Sequence, residues 1–353
     1  SWGGGEKWCV EAASALRMRG HRVAIACAEG SALQERAVAE KLDAWPLPLG
    51  VWRAPRAALL LARRLREERI ELVVANVGRD VRLGAFACAR SGAKLLQRRG
   101  IARPLKRDPL NRWIYRRCVR RVIANCAAIR DAMLAEGDVL DARRFVVIPN
   151  GVEVAAPADG ARWRAEHGIA PDAPLAIAVG RLAPMKGHAD LLRAWKRVSE
   201  RVPRAVLAIL GDGESRAELA SLHAQLALGD SVHFVGFVRE LSGAYAAAHA
   251  LVLPSVRDEG CNNALLEAMA RGLPAVVTRC GGLPECVVEG QTGHVVPIGD
   301  ERALADALAR LLAEPEQRAL LGARARELAR EKFSVARVTT QLEELLREVR
   351  DER

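Results

Sequence analysis

The sequence predicts an α/β protein built as two Rossmann-like domains, and three observations predict it. Its 353 residues are too many for one ordinary core and suit two domains of about 150–200 residues. Short apolar runs alternate with longer segments of helical period through most of the chain, and apolar strands joined by helical crossovers make a parallel sheet covered on both faces. Turn residues at Pro149-Asn150-Gly151 and in PADG (157–160) divide that alternation in two.

In order along the chain, glycines at 3–5 open a helix over 6–19 whose Trp8, Ala12 and Leu16 share one face. The runs at 22–27, 71–75, 93–97, 121–125 and 145–149 read as strands. A parallel α/β domain normally starts with a strand that feeds a glycine turn. Here the glycines come first, so the first strand is expected to be missing, as in a fragmentary sequence. In the second half the strand candidates are 175–179, 205–210, 232–235, 250–253, 274–277 and 294–296. Leu191, Leu192, Trp195 and Val198 form the buried stripe of one intervening helix. A helix at 302–313 and an amphipathic one from about Val335 to Val349 close the chain. The expected division is 1–150, 151–335 and a terminal segment 336–353 that packs back toward the first domain.

Composition narrows the class. Hydrophobic residues make up 50% and charged residues 27%, a globular balance rather than a disordered one. No run approaches the roughly 18–20 apolar residues of a membrane span, and the first residues lack a basic region followed by an apolar one, so no secretory leader is expected. Eight cysteines without a CxxC pair or metal-ligand spacing read as free thiols in a reducing cytoplasm. Charge is uneven: residues 1–150 carry 29 Lys or Arg against 15 Asp or Glu, the remainder 25 against 28. A basic first half calls for an anionic partner, with nucleic acid, an anionic membrane and a phosphorylated acceptor all open on charge alone. Ten of the basic residues lie within 98–121, interleaved with Trp113, Ile114 and Tyr115. Arg98, Arg99, Arg116 and Arg117 there are candidates for binding an acceptor or an anionic surface. A solvated arginine face with inward aromatics fits the same residues. No nucleic-acid recognition motif accompanies the charge.

Three segments carry candidate chemistry. In RDEGCNNALLEAMA (257–270) a strand ends before a loop holding Glu259 and Gly260, and a helix starts around Asn262 and Asn263. Free N–H groups and the macrodipole make such a helix start a phosphate site. Helical side chains lean toward the N-terminus, which turns Glu267 toward the ligand that Glu259 would meet. Two acids beside phosphate are tolerable when they accept hydrogen bonds from hydroxyls on either side of it, and a nucleotide sugar supplies these from its ribose and its hexose. A solvated loop acid and an ordinary helical glutamate fit the spacing too. In VGRLAPMKG (179–187), Arg181 and Lys186 follow a strand end and could neutralise a departing diphosphate; a surface basic pair is the alternative. Gly4 and Gly5 let backbone approach a ligand closely, while Gly211-Asp212-Gly213 reads as structural.

Taken together, these segments resemble the large retaining glycosyltransferase family four, of GT-B architecture, which implies that the two Rossmann-like domains face each other across a cleft. The resemblance runs through GGGE (3–6), RGHRV (19–23), IPNGV (148–152), GRLAPMKG (180–187), ILGDG (209–213) and VHFVGFV (232–238). It continues through LPSVRDEGCNNALLEAMARGLPAVVT (253–278) and GGLPECVVEGQTGHVV (281–296). It implies a first domain that takes the acceptor and a second that takes the nucleotide sugar. It also implies that Glu259 contacts the donor sugar, Glu267 the ribose, and Arg181 and Lys186 the diphosphate. Main chain at Gly260, Asn262 and Asn263 would add phosphate and sugar contacts, and Gly4 and Gly5 would close from the other domain. Transfer would retain anomeric configuration with no metal and no cofactor beyond the donor. The acceptor would be a cell-envelope glycan or glycolipid of lipopolysaccharide type, handled by a cytoplasmic enzyme with an anionic membrane surface as a candidate partner. Two positions depart from the pattern: Asn262 stands where many members have Gly or Pro, and Gln97-Arg98-Arg99-Gly100 occupies the place of a donor-facing histidine.

Three other functions compete. A dinucleotide oxidoreductase needs a GxGxxG fingerprint that the chain lacks. A glycosidase needs two carboxylates facing one glycosidic bond, which a phosphate-site setting does not offer. A catalytically silent nucleotide-sugar-binding protein would keep the fold without turnover. Donor base and sugar are not spelled out by any segment.

Overall fold

The computed structural model describes residues 3–49, 54–101, 108–135, 141–153 and 158–352. Ser1 and Trp2, 102–107 within the basic segment, and Pro157 of the PADG turn lie outside the described residues. The chain forms two compact units: Ser1–Gly151 with Val335–Arg353, and Val152–Ser334.

The first unit alternates helix and strand: α1 (Gly4–Met18), β1 (Ala24–Ala28), α2 (Ala32–Ala39), β2 (Asp43–Leu47), α3 (Ala54–Glu67), β3 (Leu72–Ala75), α4 (Gly78–Ser91), β4 (Lys94–Arg99), α5 (Pro109–Arg117), β5 (Val119–Ala124), α6 (Ala127–Ala135) and β6 (Phe145–Val147). Its strands are all parallel and form a pair β1-β2 and a four-stranded sheet β3-β4-β5-β6. The run DAWPL that forms β2 was not among the expected strands, because Pro46 interrupts it. Trp45 and Leu47 alternate inward and Pro46 lies at an exposed position, where the missing N–H costs little beside an open strand edge.

Ala57 and Leu61 of α3, Val81 and Ala85 of α4, Ile114 of α5 and Ile129 of α6 share one core with Leu95 and Val122. Those four helices therefore cover one sheet face. Leu16 of α1 lies against the other face with Leu96, Ile123 and Ile148.

The last helix, α15 (Val335–Asp351), completes that second core through Val338, Leu342, Leu345 and Val349. Glu343 accepts from Arg19 at 2.9 Å and bonds His21 at 2.8 Å. These bonds hold the Glu343 carboxyl down at about pKa 2, His21 contributing first and Arg19 next.

The second unit contains α7 (Gly160–Glu166), β7 (Leu175–Val179), α8 (His188–Arg201), β8 (Val206–Leu210), α9 (Arg216–Gln225), β9 (Val232–Gly236), α10 (Ser242–Ala247), β10 (Ala250–Leu253), α11 (Asn263–Ala270), β11 (Ala275–Thr278), α12 (Leu283–Cys286), β12 (Gly293–Val296), α13 (Glu301–Ala313) and α14 (Pro315–Phe333). Among the described residues its six strands run parallel in the order β12-β11-β10-β7-β8-β9. Leu175 and Ile177 enter one core while Ala176 and Ala178 enter the other. Burial on both faces is why these strands read as unbroken apolar runs. From β7 the chain winds outward to β8 and β9, then returns to place β10 on the other side of β7. That reversal makes the carboxyl ends of β7 and β10 a topological switch point, the place where open α/β sheets take ligands.

Candidate functional site

Both loops at the switch point carry residues singled out from the sequence. After β7 comes Gly180-Arg181, then a 3₁₀ turn over Pro184–Lys186 that leads through Gly187 into α8. Gly187 has φ +68°, and a Cβ there would lie 1.9 Å from the carbonyl oxygen of Pro254. Only glycine permits that approach, and it holds the Lys186 turn against the end of β10. After β10 the chain passes Ser255 and Asp258 before Glu259. Asp258 adopts φ +63°, a conformation that costs a non-glycine residue about 1–2 kcal/mol. On the far side Gly281, φ +52°, lets backbone pass where a Cβ would sit 2.0 Å from the Glu259 carbonyl oxygen.

Glu259 is 4% exposed. Its carboxylate is ion-paired with the Lys186 ammonium through Oε1, which also accepts from Ser255 Oγ at 2.8 Å. Asn262 Nδ2 donates to Oε2 at 3.4 Å. Asn262 also caps α11, its Oδ1 accepting from Leu265 N–H at 3.2 Å, so the helix starts at Asn263 and presents its N-terminal amides beside Glu259. A buried carboxylate that keeps its charge requires such partners. Thus Lys186 and Glu259, read from the sequence as serving phosphate and sugar separately, are direct partners.

Glu267 lies one turn further along α11. Tyr245 of α10 donates its hydroxyl to Glu267 Oε2 at 3.1 Å, and the Arg271 guanidinium stands 5.1 Å from the Tyr245 ring centre. Arg181 lies apart from these bonds: its side chain is 64% exposed and pairs with Glu214 at 2.9 Å. Gly211 and Gly213 have the structural role expected, since Cβ atoms there would meet the carbonyl oxygens of Gly180 and Leu182.

His188, the first residue of α8, is 5% exposed. Burial, and then the charge of Lys186, lower its pKa to about 4. The imidazole is therefore neutral at neutral pH and adds no charge beside Lys186.

In the first unit, Gly4 and Gly5 form the first turn of α1. A Cβ on Gly5 would come within 2.7 Å of Asn76 Nδ2, so the close backbone approach made there is to Asn76. Arg98 corrects the expectation of a surface residue. It is 4% exposed, donates to Asn76 Oδ1 at 3.3 Å and Asn150 Oδ1 at 2.8 Å, and stands 5.0 Å from the Trp8 ring centre. Those oxygens and the aromatic face offset part of its cost of burial. Arg99 is half-buried beside Tyr115, and burial lowers its pKa. Arg116 and Arg117 are exposed. The interleaved side chains divide, Ile114 and Tyr115 inward and Trp113, 55% exposed, outward.

Sequence reading missed Ser255 and Tyr245, which hold the two glutamates. Ser255, four residues before Glu259, carries a signal only once a buried acid is suspected. Tyr245 carries none, because its link to Glu267 spans two elements.

Residues 2–156 match the family described as Glycosyltransferase Family 4 and residues 159–328 the one described as Glycosyl transferases group 1. A GDP-mannose-dependent alpha-(1-6)-phosphatidylinositol monomannoside mannosyltransferase of Mycolicibacterium smegmatis is 34% identical over 194 residues, 53% of this chain and 50% of that protein. A D-inositol 3-phosphate glycosyltransferase of Saccharomonospora viridis is 33% identical over 240 residues, 65% of this chain and 55% of that protein. The chain spans about half the length of the curated relatives it matches. Among solved structures, Anabaena HepE in complex with UDP-glucose shares the fold, with a TM-score of 0.85 at 22% identity over 99% of this chain and 97% of that one.

Proposed function

The chain belongs to the family four, group 1 glycosyltransferases, and from that premise we propose that it moves a sugar from a nucleoside diphosphate to an anionic glycan or glycolipid acceptor of the cell envelope. The observation that carries the reading is the Lys186–Glu259 pair at the switch point of the second unit, beside the N-terminus of α11. Lys186 and the α11 amides supply positive potential for the diphosphate, as charge grows on the leaving group. Glu259 supplies an acceptor for donor-sugar hydroxyls and Glu267 one for the ribose. Gly260, Asn262 and Asn263 line the same loop and helix start. Arg181, paired with Glu214 at 2.9 Å, would exchange that partner for phosphate. The proposed reaction retains anomeric configuration, needs no metal, and leaves the donor base open.

The acceptor reading rests on charge. The first 150 residues hold nearly twice as many basic as acidic side chains, and two relatives are named for phosphorylated inositol acceptors. The same unit suits an anionic lipid surface: α5 exposes Leu110 and Trp113 between Arg112, Arg116 and Arg117. Among the described residues no helix is long and apolar enough to cross a membrane. A cytoplasmic enzyme seated peripherally on its membrane fits these features.

The deciding experiment is a donor screen. Turnover of a UDP-, GDP- or ADP-sugar, abolished by Lys186→Ala, is the expected result, with the product anomer read by NMR. An unchanged rate in Lys186→Ala overturns the assignment. For the lipid surface, Arg116→Glu/Arg117→Glu should release protein from phosphatidylglycerol vesicles; retention rejects that part.

A further inference from the structure

We propose that Tyr245 is the positioning residue that makes Glu267 discriminate a ribose diol from a deoxyribose. This rests on the reading of Glu267 as the ribose ligand and extends it to a residue on another element. A glutamate has three rotatable bonds, and one on a helix surface samples several rotamers. A carboxylate that must receive two adjacent hydroxyls works best when its plane is set before the ligand arrives. Here the setting comes from α10. Tyr245 is 3% exposed, with its ring in the core beneath α11 and its hydroxyl donating to Glu267 Oε2 at 3.1 Å.

Arg271 closes the arrangement from the other end of α11. Its Nη1 donates to the main-chain oxygen of Glu267 at 3.1 Å, and its guanidinium packs 5.1 Å from the Tyr245 ring centre. The ring is thereby held between the core and a cation, with little freedom to withdraw its hydroxyl. Burial and the neighbouring Glu267 carboxylate raise the phenol pKa well above its ordinary value, so the hydroxyl stays a donor throughout the neutral and mildly alkaline range. A carboxylate held this way rewards a ligand whose hydroxyls fall on its plane and gives nothing to one that lacks them.

The test is binding of UDP, GDP and ADP, and of the 2′,3′-dideoxyribose counterpart of whichever binds best, measured by calorimetry on the full chain. Tyr245→Phe should weaken binding of the ribonucleoside diphosphate several-fold and leave the dideoxy affinity unchanged, so that the ratio between them collapses. Arg271→Met, which frees the ring without touching the hydroxyl, should lower the ratio less. Tyr245→Trp, which fills the site without an oriented hydroxyl, should not restore it. If Tyr245→Phe weakens both ligands equally, Tyr245 is only part of the core and the proposal fails. Glu267→Gln separates this failure from that of the underlying reading. A ratio lost in Glu267→Gln but kept in Tyr245→Phe overturns the positioning role alone, whereas a ratio kept in both overturns the ribose assignment and the proposal together.

Discussion

Removing the Lys186 ammonium should cost the ligand-free protein stability before it costs any chemistry. Glu259 is 4% exposed, and without Lys186 its carboxylate keeps, among the described residues, its bonds from Ser255 and Asn262. Breaking a buried pair by deleting one partner costs about 3–5 kcal/mol, and since Lys186 is 26% exposed the lower figure applies. At roughly 2–4 °C per kcal/mol for a unit of this size, Lys186→Met should lower Tm by about 6–12 °C. Adding Glu259→Gln removes the stranded charge, so the double variant should regain most of that loss. Calorimetry on the four proteins of the cycle measures it. The two residues should then part company on ligand. Lys186→Met weakens nucleoside diphosphate binding and lowers turnover by about 100–1000-fold, the usual loss for one such donor. Glu259→Gln removes a repelling charge, so it should bind the free diphosphate more tightly while transferring sugar more slowly. A Tm for Lys186→Met within about 2 °C of the parent, or a double variant no more stable than the single, refutes the buried-pair reasoning.

Gly187→Ala places a Cβ 1.9 Å from a backbone oxygen at φ +68°, so it should cost at least about 2 kcal/mol and depress donor affinity with it; near-parental Tm and affinity would contradict this. His188, with its folded pKa lowered to about 4, binds its proton more weakly folded than unfolded. Its stabilisation is whole above the unfolded pKa near 6.5 and is lost as pH falls toward 4, up to about 3 kcal/mol. Urea midpoints between pH 7.5 and 4 should therefore decline less in His188→Gln than in the parent. Glu343, held down to about 2 by His21 and Arg19, acts in the same direction at lower pH: its stabilisation is whole above the ordinary carboxylate pKa and is lost as pH falls from there toward 2. Glu343→Ala should lower Tm at neutral pH, and an unchanged Tm would show that α15 is held by its apolar stripe alone.

Legibility in the sequence followed the range of the forces involved. The strands of the second unit were readable because burial on both faces makes them unbroken apolar runs, as in LAIAV at β7 and ALVL at β10. The strand β2 was not, because Pro46 hides an alternation that only its pairing with β1 reveals. In the site, the loop after β10, the α11 start and the Lys186 turn were legible because strand end, glycine and helix cap are local chemistry. Arg98 was misjudged, since arginine is ordinarily a surface residue and nothing nearby in sequence announces Asn76, Asn150 and Trp8 around it.

By itself, then, the chain's order of residues determined the class of fold, the repeat of strand and helix, and which loops hold the basic and acidic groups. Each of these depends on periodicity, turns and caps that act over a few positions. Only the tertiary structure decided that Lys186 neutralises Glu259, that Arg181 turns to Glu214, and that Tyr245 sets Glu267. The observed bonds, Lys186 to Glu259, Arg181 to Glu214 and Tyr245 to Glu267, join residues 73, 33 and 22 positions apart. Charge and hydrogen bonding act through space, and the sheet determines which distant side chains come within their reach.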